Sequence, residues 1–254
     1  MSPSQILAKL ATTFSAYPNG KTVINTTTSG YDLYKPCTDL LTDFPDAPSD
    51  LTGFTFKGVE IAYSPATGKA YRFSKSPSNV GWNLITPGTC HGMYTQLLVA
   101  KTMMRLHRII GLVFLGLSTN QVIDHIRHAD GTHAQDCLAN LRIASRAENL
   151  QNSRKRKNNT TGYKGVQFHK RLSKYQASIT IEHIRKNLGL FNTPEPAFIA
   201  YATASRLLHK EFSYVSPDEY TKAIAACTPE QIAHITETAT HKAMELLARL
   251  GDSN

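Results

Sequence analysis

The spacing of apolar and polar positions changes several times along the chain, and each change marks an element. Residues 3–14 place Ile6, Leu7, Leu10 and Phe14 near the 3,4 spacing of a short amphipathic helix, with Ser2 or Ser4 as caps. From Tyr17 to Leu51 the pattern dissolves into Thr, Asp, Pro and Gly, which predicts irregular chain around one or two strands. Alternation returns in Phe54–Phe73, on either side of Ser64-Pro-Ala-Thr-Gly68: a hairpin, with Gly68 at a turn position of positive φ. A second pair, Trp82–Ile85 and Met93–Val99, is expected to join through Pro87-Gly88. Val99–Leu115 is apolar on most faces and predicts a helix, with a strand left open at its far end by Gly111 and the β-branched residues.

The next stretch is ordered as strand, loop, strand, helix. Gln121–His125 is strand-like and runs into the turn signal Asp130-Gly131. Leu141-Arg-Ile143 then leads into a polar helix, Ser145–Arg156, whose Ser145 and Glu148 have capping-box spacing. Three further strands follow at Tyr163–His169, Tyr175–Ile181 and Asn187–Phe191, then a helix over Glu195–Phe212. Two tail helices, 217–226 and 229–250, close the chain, the second capped by Thr228 with Pro229 at its first position. The stripe Ile232, Ile235, Ala239, Met244, Leu247 and Leu250 needs a partner surface, in the same chain or in a homodimer.

Charge divides this map. The chain's 254 residues carry a formal net charge of +9. By segment the balance is −2 over 1–55, +9 over 56–160, +5 over 161–215 and −3 over 216–254. A basic middle between acidic ends suits a polyanion-binding body flanked by packing segments. No apolar stretch approaches the 18 or more residues of a membrane span, and the first residues lack the pattern of a signal peptide, so an unexported, cytoplasmic protein is expected. Cys37, Cys90, Cys137 and Cys227 form no close pair, and neither structural zinc nor a disulfide framework is expected.

Candidate chemistry centres on Asp124-His125, which a regular strand points to opposite faces. Two readings stand on spacing alone. One is a solvated turn edge or a buried, hydrogen-bonded histidine. The other is a phosphodiester-cleaving centre, with a divalent ion on Asp124 and Asn149 and His125 taking a proton from water; oxygen donors of this kind suit magnesium or manganese.

The surrounding residues, LHRIIGLVF (106–114), VIDH (122–125), DG (130–131), NLR (140–142) and AENLQN (147–152), resemble the His-Asn-His nuclease family in its phage and intron-encoded homing branch. That resemblance implies a two-stranded ribbon and a helix around one Mg2+ or Mn2+. It implies that Asp124 and Asn149 bind the metal, that His125 is the general base, and that Asn140 ties the loop and orients His125. His107 matches a histidine upstream of the module, near the scissile phosphate or simply packed. The loop from Gly131 to Asn140 is longer than the family's short version, and His128, His133 and Asp136, in that region, read as solvated rather than catalytic.

Arg142, Arg146, Arg154, Lys155, Arg156 and Lys157 read as a solvated charge run or, directly after a nuclease helix, as phosphate contacts. Residues 161–215, through TGYKGVQFHKRLSKYQASITI, NLGLF and TPEPAFIAYATAS, resemble the plant ethylene-response-type DNA-binding domain, whose sheet reads duplex DNA and whose helix backs it. Lys164, Gln167, His169, Lys170, Arg171, Lys174, Arg185 and Lys186 are its candidate contacts. Gly165, Tyr175, Leu188 and Phe191 read as fold-holding.

The expected fold class is thus α+β: a ββα-metal module (56–160, core 106–157) after an N-terminal segment (1–55), then a three-stranded antiparallel sheet on one helix (161–215) and a helical tail (216–254). The expected function is a metal-dependent endonuclease on double-stranded DNA, a homing-type nickase or double-strand cutter. The alternatives are a non-catalytic DNA-binding regulator and a dimeric junction nuclease.

Overall fold

The computed structural model describes residues 50–76, 78–86, 94–99, 101–129 and 131–251. The expected helix at 3–14, Cys37, Cys90, the Pro87-Gly88 turn and Asp130 lie outside them. The fold is α+β, with small antiparallel sheets and helices following one another along the chain. The chain divides between Arg146 and Ala147 into two compact units. Among the described residues, no helix is long and apolar enough to cross a membrane.

The first unit opens on a four-stranded meander of β1 (Thr52–Phe56), β2 (Val59–Tyr63), β3 (Ala70–Ser76) and β4 (Asn79–Leu84). The expected hairpin across Ser64–Gly68 is the β2–β3 connection, and Lys57-Gly58 adds a tighter one before it, with both residues at positive φ. Trp82 does not pair toward residue 99 as expected; it lies opposite Phe73 on β3, and the two rings meet edge to face at 5.3 Å.

The expected helix from Val99 is corrected as well. Residues 96–105 form a second hairpin, β5 (Gln96–Val99) with β6 (Thr102–Arg105), turning through Lys101 at φ 64°. Helix α1 spans only Leu106–Ile110 and widens into one π turn over Gly111–Leu115, which ends on Gly116 in the left-handed region. A continuous apolar run has no period of its own, so helix and buried strand look alike in it. The ribbon of β7 (Val122–His125) and β8 (Leu141–Ala144) follows, in the expected order. One core joins these parts: Phe54 and Tyr63 from the meander, Leu106 and Ile110 from α1, Ile123 from β7 and Leu141 from β8.

Helix α2 (Arg146–Asn152) starts at the unit boundary and stops four residues short of the expected end, so Arg154–Lys157 lies beyond the helix. The second unit is a three-stranded antiparallel sheet, β9 (Val166–His169), β10 (Lys174–Ile181) and β11 (Ile184–Phe191), with β10 central. It is backed by α3 (Pro194–Leu208), then α4 (Pro217–Ala225) and α5 (Pro229–Gly251). Thr228 and Gln231 make a reciprocal capping box at the start of α5: Gln231 N–H donates to Thr228 Oγ1 at 3.3 Å, and Thr228 N–H to Gln231 Oε1 at 2.9 Å. The tail's apolar stripe is buried in its own chain through Ile235, Ala239, Ala243 and Leu246, in one core with Phe198 of α3 and Leu188 of β11. Met244, expected in that stripe, points outward and is 56% exposed.

Candidate functional site

The ribbon separates Asp124 and His125 as strand geometry requires. Asp124 stands directly opposite Arg142 on β8, and both Nε and a terminal nitrogen of the guanidinium lie 2.8 Å from its Oδ2. The carboxylate is buried and its charge is compensated by a cation held across the strands.

His125 faces the other way, into a cluster assembled from four segments. Its Nε2 lies 3.1 Å from Oδ1 of Asp136, in the 3₁₀ turn His133–Asp136 of the long loop. His107 of α1 brings Nδ1 to 3.9 Å from the same oxygen, and its ring meets that of His125 edge to face at 4.8 Å. Tyr94 packs against both imidazoles, at 5.2 Å and 5.6 Å between centroids, and carries the Arg105 guanidinium over its ring at 4.7 Å. His107, His125 and Asp136 are all buried. Burial first, and the neighbouring His125 second, push His107 down to about 3, against the pull of Asp136, so His107 is neutral.

Asp136 corrects the expectation of a solvated loop: its side chain is fully buried. The meander places it. Tyr63 Oη donates to the backbone oxygen of Asp136 at 2.7 Å, and Leu138 N–H donates to the Pro65 oxygen at 2.8 Å. Gly68, at φ 72°, lets the β2–β3 turn lie against His133 and Cys137, where a Cβ would collide with backbone. The signal in the sequence was the apolar pair Cys137-Leu138 directly after Asp136, which marks a packed loop. His128 and His133 are half-buried.

Asn140 ties the loop's two ends. Its amide donates to the backbone oxygens of Arg127 at 3.1 Å and Gln135 at 2.8 Å, and its oxygen accepts from Arg127 N–H at 2.7 Å. It fixes the backbone on both sides of the His125 pocket, and the carboxylate that meets the His125 ring is that of Asp136. Asn149 lies on α2, half-buried.

The basic residues sort by what they touch. Arg146, Arg154, Arg156 and Lys157 are exposed. Lys155 pairs with Glu219 at 2.7 Å and donates to the Gly162 oxygen at 2.9 Å. Lys164 does not reach outward as a contact residue: its ammonium donates to the backbone oxygens of Gln151 and Ser153 at 2.5 Å and 2.6 Å, and burial lowers it to about 8. Lys186 turns to the helical side and pairs with Glu245 of α5 at 2.7 Å. Gln167 and Arg185 lie together on the exposed side of the sheet, Arg185 donating to Gln167 Oε1 at 3.1 Å and to Ser178 Oγ at 2.9 Å. Lys170, Arg171 and Lys174 are exposed at the β9–β10 turn, and His169 is half-buried beside them. Gly165, at φ 75°, is pressed against the Tyr201 ring of α3, a fold-holding contact as expected.

No family model matches the chain, and no solved structure matches it. A curated phage protein does, at 34% identity over 89 residues, which are 35% of this chain and 73% of that protein. On that match the chain belongs to the family of Protein 3.8 of Escherichia phage T7.

Proposed function

We propose that this protein is a metal-dependent endonuclease that hydrolyses phosphodiester bonds of duplex DNA at a recognised site, built on a ββα-metal module of the His-Asn-His type. The observation that carries the reading is the buried His125–Asp136 pair, at 3.1 Å, on the strand residue next to Asp124. Its supports are the ribbon β7–β8 leading in sequence into α2, the resemblance of residues 106–152 to that nuclease class, and kinship with a phage protein.

With Nε2 committed to Asp136, the imidazole is held in one tautomer. The carboxylate also stabilises the imidazolium formed when His125 takes the proton of the attacking water. Asp124 fits a cation ligand, since it is a buried carboxylate that already holds a guanidinium on Oδ2. By donor type its oxygens would hold Mg2+ or Mn2+. When bound, such an ion neutralises the scissile phosphate and the departing 3′ oxygen, which leaves a 5′ phosphate and a 3′ hydroxyl. Exposed Arg154, Arg156 and Lys157 supply phosphate contacts, and the Gln167–Arg185 face of the sheet supplies base contacts. One active site per chain cuts one strand, so a monomer nicks.

Conversion of supercoiled plasmid in Mg2+ tests the reading. Asp124→Ala and His125→Ala are each expected to lower cleavage by on the order of 100-fold or more, with duplex affinity held within about twofold. Wild-type protein that binds duplex and never cuts it would establish the DNA-binding regulator instead. Faster cutting of four-way junctions than of linear duplex, by a dimer in solution, would establish the junction nuclease.

A further inference from the structure

We propose that His107, His125 and Asp136 form a second metal site, for a borderline dication such as Zn2+, and that filling it silences the nuclease by occupying His125. The silencing half rests on the reading of His125 as proton acceptor; the binding half stands without it.

Three features point to a ligand. One ligand atom from each side chain lies within 4.8 Å of the other two, and the three come from separate stretches of chain: α1, β7 and the loop between the ribbon strands. Two donors bound at about 2.1 Å to one tetrahedral ion stand roughly 3.4 Å apart. The 3.1 Å separation at Asp136 Oδ1 already meets that, the 3.9 Å one closes by about half an ångström, and the remaining one, within 4.8 Å, by up to about 1.4 Å, a side-chain adjustment.

The cluster also has unmet polar atoms. His107 Nδ1 and Asp136 Oδ2 are buried with no hydrogen-bond partner. Asp136 is a fully buried carboxylate whose ion-pair partners among the described residues are these two imidazoles, with no Lys or Arg. A buried carboxylate without a cation is costly, and an ion at this point would supply that charge to Asp136 and a partner to His107 Nδ1.

The donor set selects the ion. Two imidazoles and one carboxylate suit zinc and its transition-metal neighbours, whereas magnesium prefers an all-oxygen shell with several waters. Asp124, on the opposite face of β7 with its guanidinium partner, is outside the cluster, so the two metals do not compete for one donor.

The test begins with zinc alone. Metal-free, full-length protein is titrated with Zn2+ against a chromophoric chelator in millimolar Mg2+, with NMR of the histidine ring nitrogens. The expected result is one Zn2+ per chain, undisplaced by Mg2+, with the His107 and His125 nitrogens shifting together. His107→Gln and Asp136→Asn should each weaken binding by on the order of 100-fold. Both keep side-chain size, and their thermal transitions check that each folds. If Zn2+ binds the folded variants as tightly as wild type, or leaves both ring signals unmoved, the site is overturned. Cleavage is then followed against added Zn2+. Loss of plasmid nicking at one equivalent, with duplex binding retained, supports silencing; nicking that persists with the site filled overturns it. A protein that binds Zn2+ in this way and cleaves no DNA in any metal overturns the nuclease reading and the silencing while the metal site stands.

Discussion

Two buried aspartates twelve positions apart solve the burial of charge differently. Asp124 holds a guanidinium across the ribbon, and Asp136 sits between two imidazoles. Removing one partner of a buried pair leaves the other charge uncompensated, so Arg142→Ala is expected to destabilise the protein by about 3 kcal/mol. A fall in the urea midpoint with unchanged slope measures this. Asn140→Ala removes one amide that satisfies three backbone groups, and should cost about 2–4 kcal/mol by the same measurement. Lys164 makes a prediction in pH. Burial lowers its folded-state value to about 8 from 10.5. Below pH 8 both states are protonated, and the cost of burying the ammonium is fully present. Between 8 and 10.5 the unfolded chain binds more protons, so stability from this group rises with pH and the cost is relieved. Wild type should therefore gain on Lys164→Met as pH climbs through that window, as read from paired urea melts; wild-type stability that stays constant or falls relative to Lys164→Met contradicts the assignment.

At the scale of elements, the turn between β2 and β3 decides where the carboxylate of Asp136 stands. Gly68 and Gly58 share nearly the same φ, 72° and 75°, but a Cβ on Gly68 strikes the backbone of His133 and Cys137 while one on Gly58 meets open space. Gly58→Ala should cost about 1 kcal/mol, the backbone penalty alone, and Gly68→Ala clearly more, about 3 kcal/mol, with the difference read from the two denaturation midpoints. This contact also explains which parts were legible in the sequence. Strands with period-two patterns, β2 and β7, lay where alternation put them, and the three of the second unit overlap their expected ranges, with β9 starting at Val166 rather than Tyr163 and β11 at Ile184 rather than Asn187. The tail helices lay between their proline and capping signals. The hairpin at 96–105 was hidden because its apolar residues run into those of α1, and a continuous run erases the period. Asp124, His125 and Asn140 could be found from local motif spacing. Asp136 could not be found from motif spacing: Cys137-Leu138 marks only that the loop is packed, and the burial of the carboxylate is imposed by Tyr63 and the Gly68 turn, some seventy positions away in the chain.

For the whole molecule, the basic excess of residues 56–215 has to be separated into charge that is already engaged and charge that can meet DNA. Arg142, Lys155, Lys164 and Lys186 are bound to carboxylates or backbone oxygens, which takes them from the surface that a count of basic residues suggests. Arg154, Arg156 and Lys157, exposed after α2, and Gln167 with Arg185 on the sheet then divide the work on the proposed reading. A side chain that neutralises a phosphate releases counterions whatever the base, whereas a side chain on a base edge acts only at its own position. Replacing Arg154, Arg156 and Lys157 together by Ala should lower affinity for every duplex alike and reduce the slope of log K against log salt by about 2–3. Replacing Gln167 and Arg185 by Ala should leave most of that slope intact and flatten the preference among sequences, by roughly 1–3 kcal/mol at the positions they read. Binding titrations at several salt concentrations, on one selected site and one unrelated duplex, separate the two. If the triple variant changes sequence preference, or the sheet variant weakens both duplexes equally, the assignment of positioning to the post-helix cations and reading to the sheet is reversed.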